Sequence, residues 1–517
     1  MSVARIAGNI GAGLVSQAWT VLVGLVVLPI LVRGLGADRY GGLAICLAMV
    51  GFASFADLGV GRAISRFVAE EDQRGRGDRI QMFVSTALSI SLPLATIGTA
   101  ALFGLGPVIA TKVLHVKPAL VPEIELAFKA TALGIFPTIC SILLQAVFVG
   151  FQRIYVLSFA TAASNTIKAG LSVAAIYTGY GLVGVVVANV AISWMQALFF
   201  WVYTEGSFPF LKVKPGWDRS AANQLLRLGP AIILTWIAVT ALFMYADRFI
   251  IAAFLPVALV GYYAAAFDIT SKQCYIANSI QQAFFPAFSA AAAAGEAALE
   301  KRYVQAMKLL AVAATGLAAL LIALGRPLLA YWISPEFGAR SAAVMVALTI
   351  GVLFSSYVCI PYASILGASD SPNASVKIFL FGTALHVTGS LLLVRRVGIV
   401  GVGLAYATAY CVVWLVCQRW VSRNLVRVPL TSLARRCFLG AWITALFTGS
   451  LWFIIVRPLI HNLWQVLLAF ALGYPFYLLC AAMVAYDNDE RGAVLQYIGT
   501  QFRRRAAGLP AVSPTEP

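Results

Sequence analysis

The chain has 517 residues, 61% of them hydrophobic and 11% charged, with a formal net charge of +17, whereas soluble domains run at about half apolar and a quarter charged. No water-soluble core absorbs that much apolar surface, so a soluble domain is excluded. The positive charge is spread over short connections with no nucleic-acid motif, which reads as membrane orientation and contact with anionic headgroups.

A membrane crossing needs roughly 20 apolar residues at 1.5 Å rise, and such stretches recur almost from end to end, predicting an all-α polytopic protein of about fourteen spans. Span 1, residues 9–32, is too long for a signal-peptide core and is expected to remain in place; Asn9, Gly13, Ser16 and Thr20 form a neutral polar stripe along it. Span 2, 41–64, carries FADLGVGRA near its inner end, where Asp57 precedes Arg62 and Arg66 at the inner mouth. Spans 3 and 4 follow at 81–104 and 124–150. In span 5, 154–178, Ser158, Thr161, Asn165, Lys168 and Ser172 recur every three or four residues and so share one helical face. Span 6 is 181–203, and span 7, 228–254, contains Asp247 beside Arg248. Span 8, 257–286, repeats the stripe pattern with Asp268, Lys272, Tyr275, Ser279 and Gln282. Spans 9 to 14 are expected at 308–330, 342–366, 374–394, 398–420, 437–457 and 462–486.

Lysine and arginine outside or at the ends of these spans test the topology, since the excess marks the cytoplasmic side. The N-terminus, alternate loops and C-terminal tail carry 24 of them, including Arg74, Arg76, Arg79, Arg423, Arg427 and Arg436; the opposite side carries nine. Both chain ends are therefore expected in the cytoplasm. Four basic residues remain inside spans: Lys129, Lys168, Arg248 and Lys272.

The sequence also repeats itself. GLVGVVVA from Gly181 opens span 6 and GIVGVGLA from Gly398 opens span 12; Gly150 ends span 4 and Gly367 ends span 10; both pairs are 217 residues apart. Gly41 and Gly261 make a looser pair, 220 apart. Because six spans separate the halves, the repeat is parallel. It predicts two six-helix bundles, 1–220 and 221–425, around a central cavity, with an added pair of spans in 426–490 and a cytoplasmic tail, 491–517.

A charged side chain in hydrocarbon costs at least about 2.5 kcal/mol, so intramembrane charges should face the protein interior. The neutral span 1 stripe reads equally as cavity lining or as hydrogen-bonding glue between helices. For the stripes containing Lys168 and Lys272 a polar cavity is the stronger reading, with Asn165, Ser172, Tyr275 and Gln282 lining it. Asp268 and Lys272, spaced i and i+4, can neutralise each other, while Asp247 and Arg248 point in different directions. Asp57, Asp247 and Asp268 read as coupling groups or salt-bridge partners. The mostly positive ladder suits an anionic ligand. The eight cysteines read as packing residues, and three widely separated histidines offer no metal-ligand spacing.

LPILVRGLGADRYGG followed by FADLGVGRAISRFVAE, the basic arm after span 2 and the landmark glycines together resemble the polysaccharide transporters of the multidrug/oligosaccharidyl-lipid/polysaccharide exporter superfamily, and more narrowly the Wzx-type oligosaccharide flippases, over about residues 5–425. That resemblance implies a bacterial cytoplasmic-membrane protein that moves undecaprenyl-diphosphate-linked oligosaccharide repeat units from the cytoplasmic to the periplasmic leaflet by alternating access. It implies polymerase and glycosyltransferases as working partners, and Lys168, Lys272 and Arg248 as the groups that screen the diphosphate. Spans 13 and 14 resemble the extra pair of the lipid II flippases, yet span 1 lacks the charged cluster those proteins carry, which favours an oligosaccharide cargo. A multidrug or organic-ion exporter of the same superfamily is the main alternative, against which the lysines count; an enzyme would need larger outer loops. No GxxxxGK[ST] motif is present, so a proton or cation gradient or the membrane potential is the expected energy source, with no cofactor.

Overall fold

The structure is a computed structural model describing residues 3–53, 60–226, 243–369 and 373–486. Among these residues the chain is helical with no strand, and ten helices are long and apolar enough to cross a membrane on their own. The remaining expected spans coincide with helix that is merged, broken or described in part, apart from span 5, which is the single helix Ile154–Tyr177 and is not among the ten. Spans 1 and 2 form one stretch, Val3–Ala53, that turns at Gly36, where φ is 72°. Span 4 is two helices, Val121–Leu133 and Ile135–Gly150. Of span 7 only Phe243–Phe254 is described. Span 8 is Val257–Thr270 and Gln273–Ala294.

Two boundaries differ from the hydropathy reading for physical reasons. The helix Val60–Gln73 runs past residue 64, the expected end of span 2; it buries Val60, Ala63, Ile64 and Val68 and exposes Arg66. Its two-sided pattern suits a helix packed on protein along one face only. Span 9 belongs to Glu296–Trp332, 37 residues or about 55 Å, well beyond the hydrocarbon thickness, and its first turns expose Lys301 and Arg302.

Neighbour relations fall into two groups. Val3–Ala53, Ile154–Tyr177, Gly181–Ser207 and the helices between 77 and 150 pack on one another. Ala342–Ala368 packs against Ile399–Asn424, Gln273–Ala294 and Glu296–Trp332, and the last two membrane helices, within Leu430–Leu459 and Leu463–Ala485, dock on Glu296–Trp332. The groups meet mainly where Val3–Ala53 runs beside Val257–Thr270.

That meeting is made by a landmark pair. A Cβ on Gly41 would lie 2.2 Å from the Val257 carbonyl oxygen, and one on Gly261 would lie 2.3 Å from the Ala37 carbonyl oxygen. Each glycine thus faces the carbonyl four residues before the other, a reciprocal contact of the kind a two-fold relation produces. Only glycine permits that approach. The other landmarks also share geometry. Gly181 and Gly398 both have positive φ, 55° and 68°, and Gly150 packs on Val68 and Ser65 as Gly367 does on Ser289 and Phe285.

Burial shows where the groups are joined. One core holds Val32, Tyr40, Ile45, Ile124, Leu182, Tyr263, Val344 and Val402, residues of both groups. Ile64, Val68, Phe83, Leu144, Val147, Phe200 and Leu225, towards the arginine-rich face, form a separate core within the first group. The two groups share a core near the face opposite the arginine-rich one.

Candidate substrate groove and buried charge cluster

Span 8 breaks at Ser271 and Lys272, where backbone bonds shift from four-residue to three-residue spacing: Ser271 N–H donates to Phe267 O, and Lys272 N–H to Ile269 O. The break puts the two ends of the expected stripe to different uses. Lys272, Tyr275 and Ser279 face a groove of about 1110 Å³, bounded by Gln17, Val21 and Leu25 of span 1, Leu317, Leu321 and Trp332 of span 9, and Leu467 and Phe470 of span 14. Its lining is mostly apolar, with Gln17, Lys272, Gln273, Tyr275 and Ser279 as the polar residues. The Lys272 ammonium lies 6.0 Å from the Tyr275 ring centroid, and among the described residues it makes no ion pair. Gln282 stands outside the groove, exposed towards the arginine-rich end.

Asp268 lies before the break and turns elsewhere. The sequence reading allowed it to neutralise Lys272; instead its Oδ1 is 3.4 Å from Arg248 Nη2, and its Oδ2 accepts a 2.7 Å bond from the Tyr40 hydroxyl of the other group. The kink removes the i to i+4 stacking on which the expected pair depended. Asp247 and Arg248 do diverge, as their adjacency requires. Arg248 lies over the Tyr245 and Phe267 rings at 5.6 and 5.8 Å. Asp247 accepts a hydrogen bond from the Tyr263 hydroxyl and stands 2.8 Å from His386 Nε2. Asp247, Arg248 and His386 are 1%, 7% and 0% exposed, so a cluster of charged and titratable groups is enclosed by protein.

His386 did not emerge from the sequence as a site residue. It was judged there only as a metal ligand; the overlooked signal is an ionisable side chain near the middle of a span.

The remaining candidates are dispersed. On span 5, Lys168 is partly buried and away from the groove lining, with no ion pair among the described residues; Ser172 is buried. Asn165 donates to Thr20 at 3.3 Å, Ser16 donates to the Ser158 carbonyl at 2.8 Å, and Trp19 donates to Thr166 at 2.8 Å. Ser16 and Thr20 of the neutral span 1 stripe thus hydrogen-bond to span 5. Arg66 pairs with Glu70 at 2.7 Å on an exposed surface, while Arg74, Arg76 and Arg79 gather around the buried carboxylate of Glu71. Arg62 is backbone of the same helix, and Asp57 lies outside the described residues.

On the opposite face, Arg33 at the end of span 1 donates to the carbonyls of Tyr331, Trp332 and Ile333. It thereby caps the C-terminus of Glu296–Trp332 across the two groups, satisfying carbonyls that a helix end leaves without partners.

Residues 6–292 match the family described as "Polysaccharide biosynthesis protein". The chain belongs to that family. Among similar proteins, "Putative O-antigen transporter" of Shigella flexneri is 23% identical over 391 residues, covering 75% of this chain and 90% of that protein. A solved structure of the lipid II flippase MurJ, in an inward closed conformation, superposes with a TM-score of 0.73 at 12% identity, covering 91% of this chain and 97% of MurJ. An inward-facing multidrug resistance transporter of the MATE family gives 0.64 at 18% identity, covering 78% and 95%. This polysaccharide biosynthesis protein is thus a multi-pass membrane protein with the fold of the superfamily its motifs resemble, and its relatives are transporters and flippases.

Proposed function

We propose that the protein flips a lipid-linked oligosaccharide, an undecaprenyl-diphosphate repeat unit, from the cytoplasmic to the periplasmic leaflet of a bacterial inner membrane. The observation that carries this reading is Lys272 in the lining of a mostly apolar groove of about 1110 Å³. Such a groove suits a ligand with an anionic head and a long hydrocarbon tail. The diphosphate sits against Lys272, the polyprenyl chain follows the apolar walls of spans 9 and 14, and Lys168 meets the sugar-phosphate head from the first group. Residues 1–220 and 221–425 are the two bodies of alternating access, and 426–490 supplies one groove wall.

Support comes from the names of the O-antigen transporter and lipid II flippase relatives. An organic-cation exporter fits the same fold, but an unneutralised ammonium in the groove repels its cargo. Energy would come from an ion gradient or the membrane potential, and a polymerase and glycosyltransferases would act after and before this step.

The test is complementation of a strain lacking the gene. Lys168→Ala and Lys272→Ala should lower polymer export with membrane abundance unchanged; full export from both variants rejects the lumen-cation reading.

A further inference from the structure

Span 9 carries a groove on each side. Leu317, Leu321 and Leu328 face the substrate groove, whereas Thr315, Ala318 and Ile322 face a second one of about 400 Å³, whose other wall is Leu446, Ser450 and Phe453 of span 13. This second groove opens outward: Leu446, Phe453 and Ile454 are exposed, and in a membrane they meet lipid. One end is stopped by polar contacts, because Trp442 Nε1 donates at 3.1 Å to the Tyr357 hydroxyl, which bonds Thr315. From Trp442 to Ile454 the wall rises by about 18 Å of helix, so the groove occupies little more than one leaflet of a hydrocarbon layer about 30 Å thick.

The other end, away from the arginine-rich face, is charged. Arg326 follows Ala323 and Ile322 by three and four residues, one turn further along the same helical face. Arg457 lies over the ring of Phe453, 4.5 Å from its centroid, and the two guanidiniums are near enough to repel each other. Among the described residues neither pairs with a carboxylate, whereas Arg39, Lys117 and Arg340 each do.

We propose that this second groove holds one anionic phospholipid of the leaflet opposite the arginine-rich face, with its phosphate between Arg326 and Arg457 and an acyl chain along Ile322, Leu446 and Phe453. Two guanidiniums that repel each other gain from a shared phosphate, which each can bind through paired N–H donors. The apolar furrow below them calls for hydrocarbon on the same molecule, and its length of about one leaflet fits an acyl chain rather than a long polyprenyl tail. Bound there, the lipid braces span 13 against span 9 on the side away from the cargo. It thereby steadies the wall that Leu467 and Phe470 give the substrate groove. The site does not depend on the identity of the cargo.

The test takes the full-length protein, stripped of co-purified lipid in detergent, and titrates it with phosphatidylglycerol or phosphatidylcholine of matched chains, counting one-to-one complexes by native mass spectrometry. The wild type should bind one phosphatidylglycerol in preference to phosphatidylcholine. Arg326→Gln combined with Arg457→Gln should weaken phosphatidylglycerol binding roughly 30-fold, the loss of two cations at a lipid surface, and erase the preference. Ser450→Phe fills the groove from an exposed position and should weaken binding of both lipids with the arginines intact. Arg395→Gln combined with Arg396→Gln removes equal charge from exposed positions outside the groove and should bind as the wild type does. Weakening confined to the first arginine pair and Ser450→Phe supports the site. It is overturned by a wild type without preference, by equal weakening from both arginine pairs, or by wild-type binding in Ser450→Phe. Loss of binding on Lys272→Ala would move the lipid to the substrate groove and also overturns it. Export by the lysine variants is a separate measurement, so a wrong cargo and a wrong lipid site give different results.

Discussion

At the residue scale, chemistry depends on which of several similar charges has a partner. Arg66, Arg74, Arg76 and Arg79 are committed to Glu70 and Glu71, whereas Lys272 meets only a ring among the described residues. If its role is to screen a phosphate, charge reversal should exceed simple loss: Lys272→Glu should abolish export, Lys272→Ala should reduce it, and Lys272→Arg should retain most of it, read as surface polymer at equal abundance. Tyr40→Phe removes one hydrogen bond to a carboxylate, worth about 1.5 to 3 kcal/mol. Thermal unfolding in detergent should fall accordingly, and hydrogen exchange should quicken where Val3–Ala53 runs beside Val257–Thr270.

At the element scale, helices meet through small residues and carbonyls. The reciprocal approach of Gly41 and Gly261 leaves no room for a side chain. Gly261→Leu should therefore destabilise by about 1 to 3 kcal/mol or more, as overpacking does. Gly104→Ala, in a helix with nothing within 4 Å of the added carbon, should be neutral or slightly stabilising; comparing their melting temperatures isolates the close contact. Arg33→Ala leaves three helix-end carbonyls without their cap, and hydrogen exchange across 329–334 should rise. The element reading also shows why the span 8 stripe misled. Its three- and four-residue spacing is continuous in sequence, but the helix is not: it breaks at Ser271 and Lys272, after Asp268.

At the scale of the whole molecule, the two groups share a core near one face, and the first group has a separate core towards the other. The final pair of helices closes one side of the groove through Leu467 and Phe470. It is held by close packing of Gly316 on Tyr477. Gly316→Leu should undock the pair: export should fall, and protease or exchange sensitivity should rise in 463–485 and not in the first group.

The sequence by itself determined the membrane class, the positions of nearly all helices and the pairing of the landmark glycines. Hydropathy and backbone φ requirements are local properties, and they survive folding. It also sufficed for the divergence of Asp247 and Arg248, because adjacent helical residues point apart. Only the tertiary structure decided that Asn165 and Ser16 hydrogen-bond between spans 1 and 5, that Asp268 belongs to Arg248 and Tyr40, and that Asp247 sits against His386, 139 positions away. Those pairings depend on a kink at one turn and on which helix faces meet, and neither is written in the spacing of a single span.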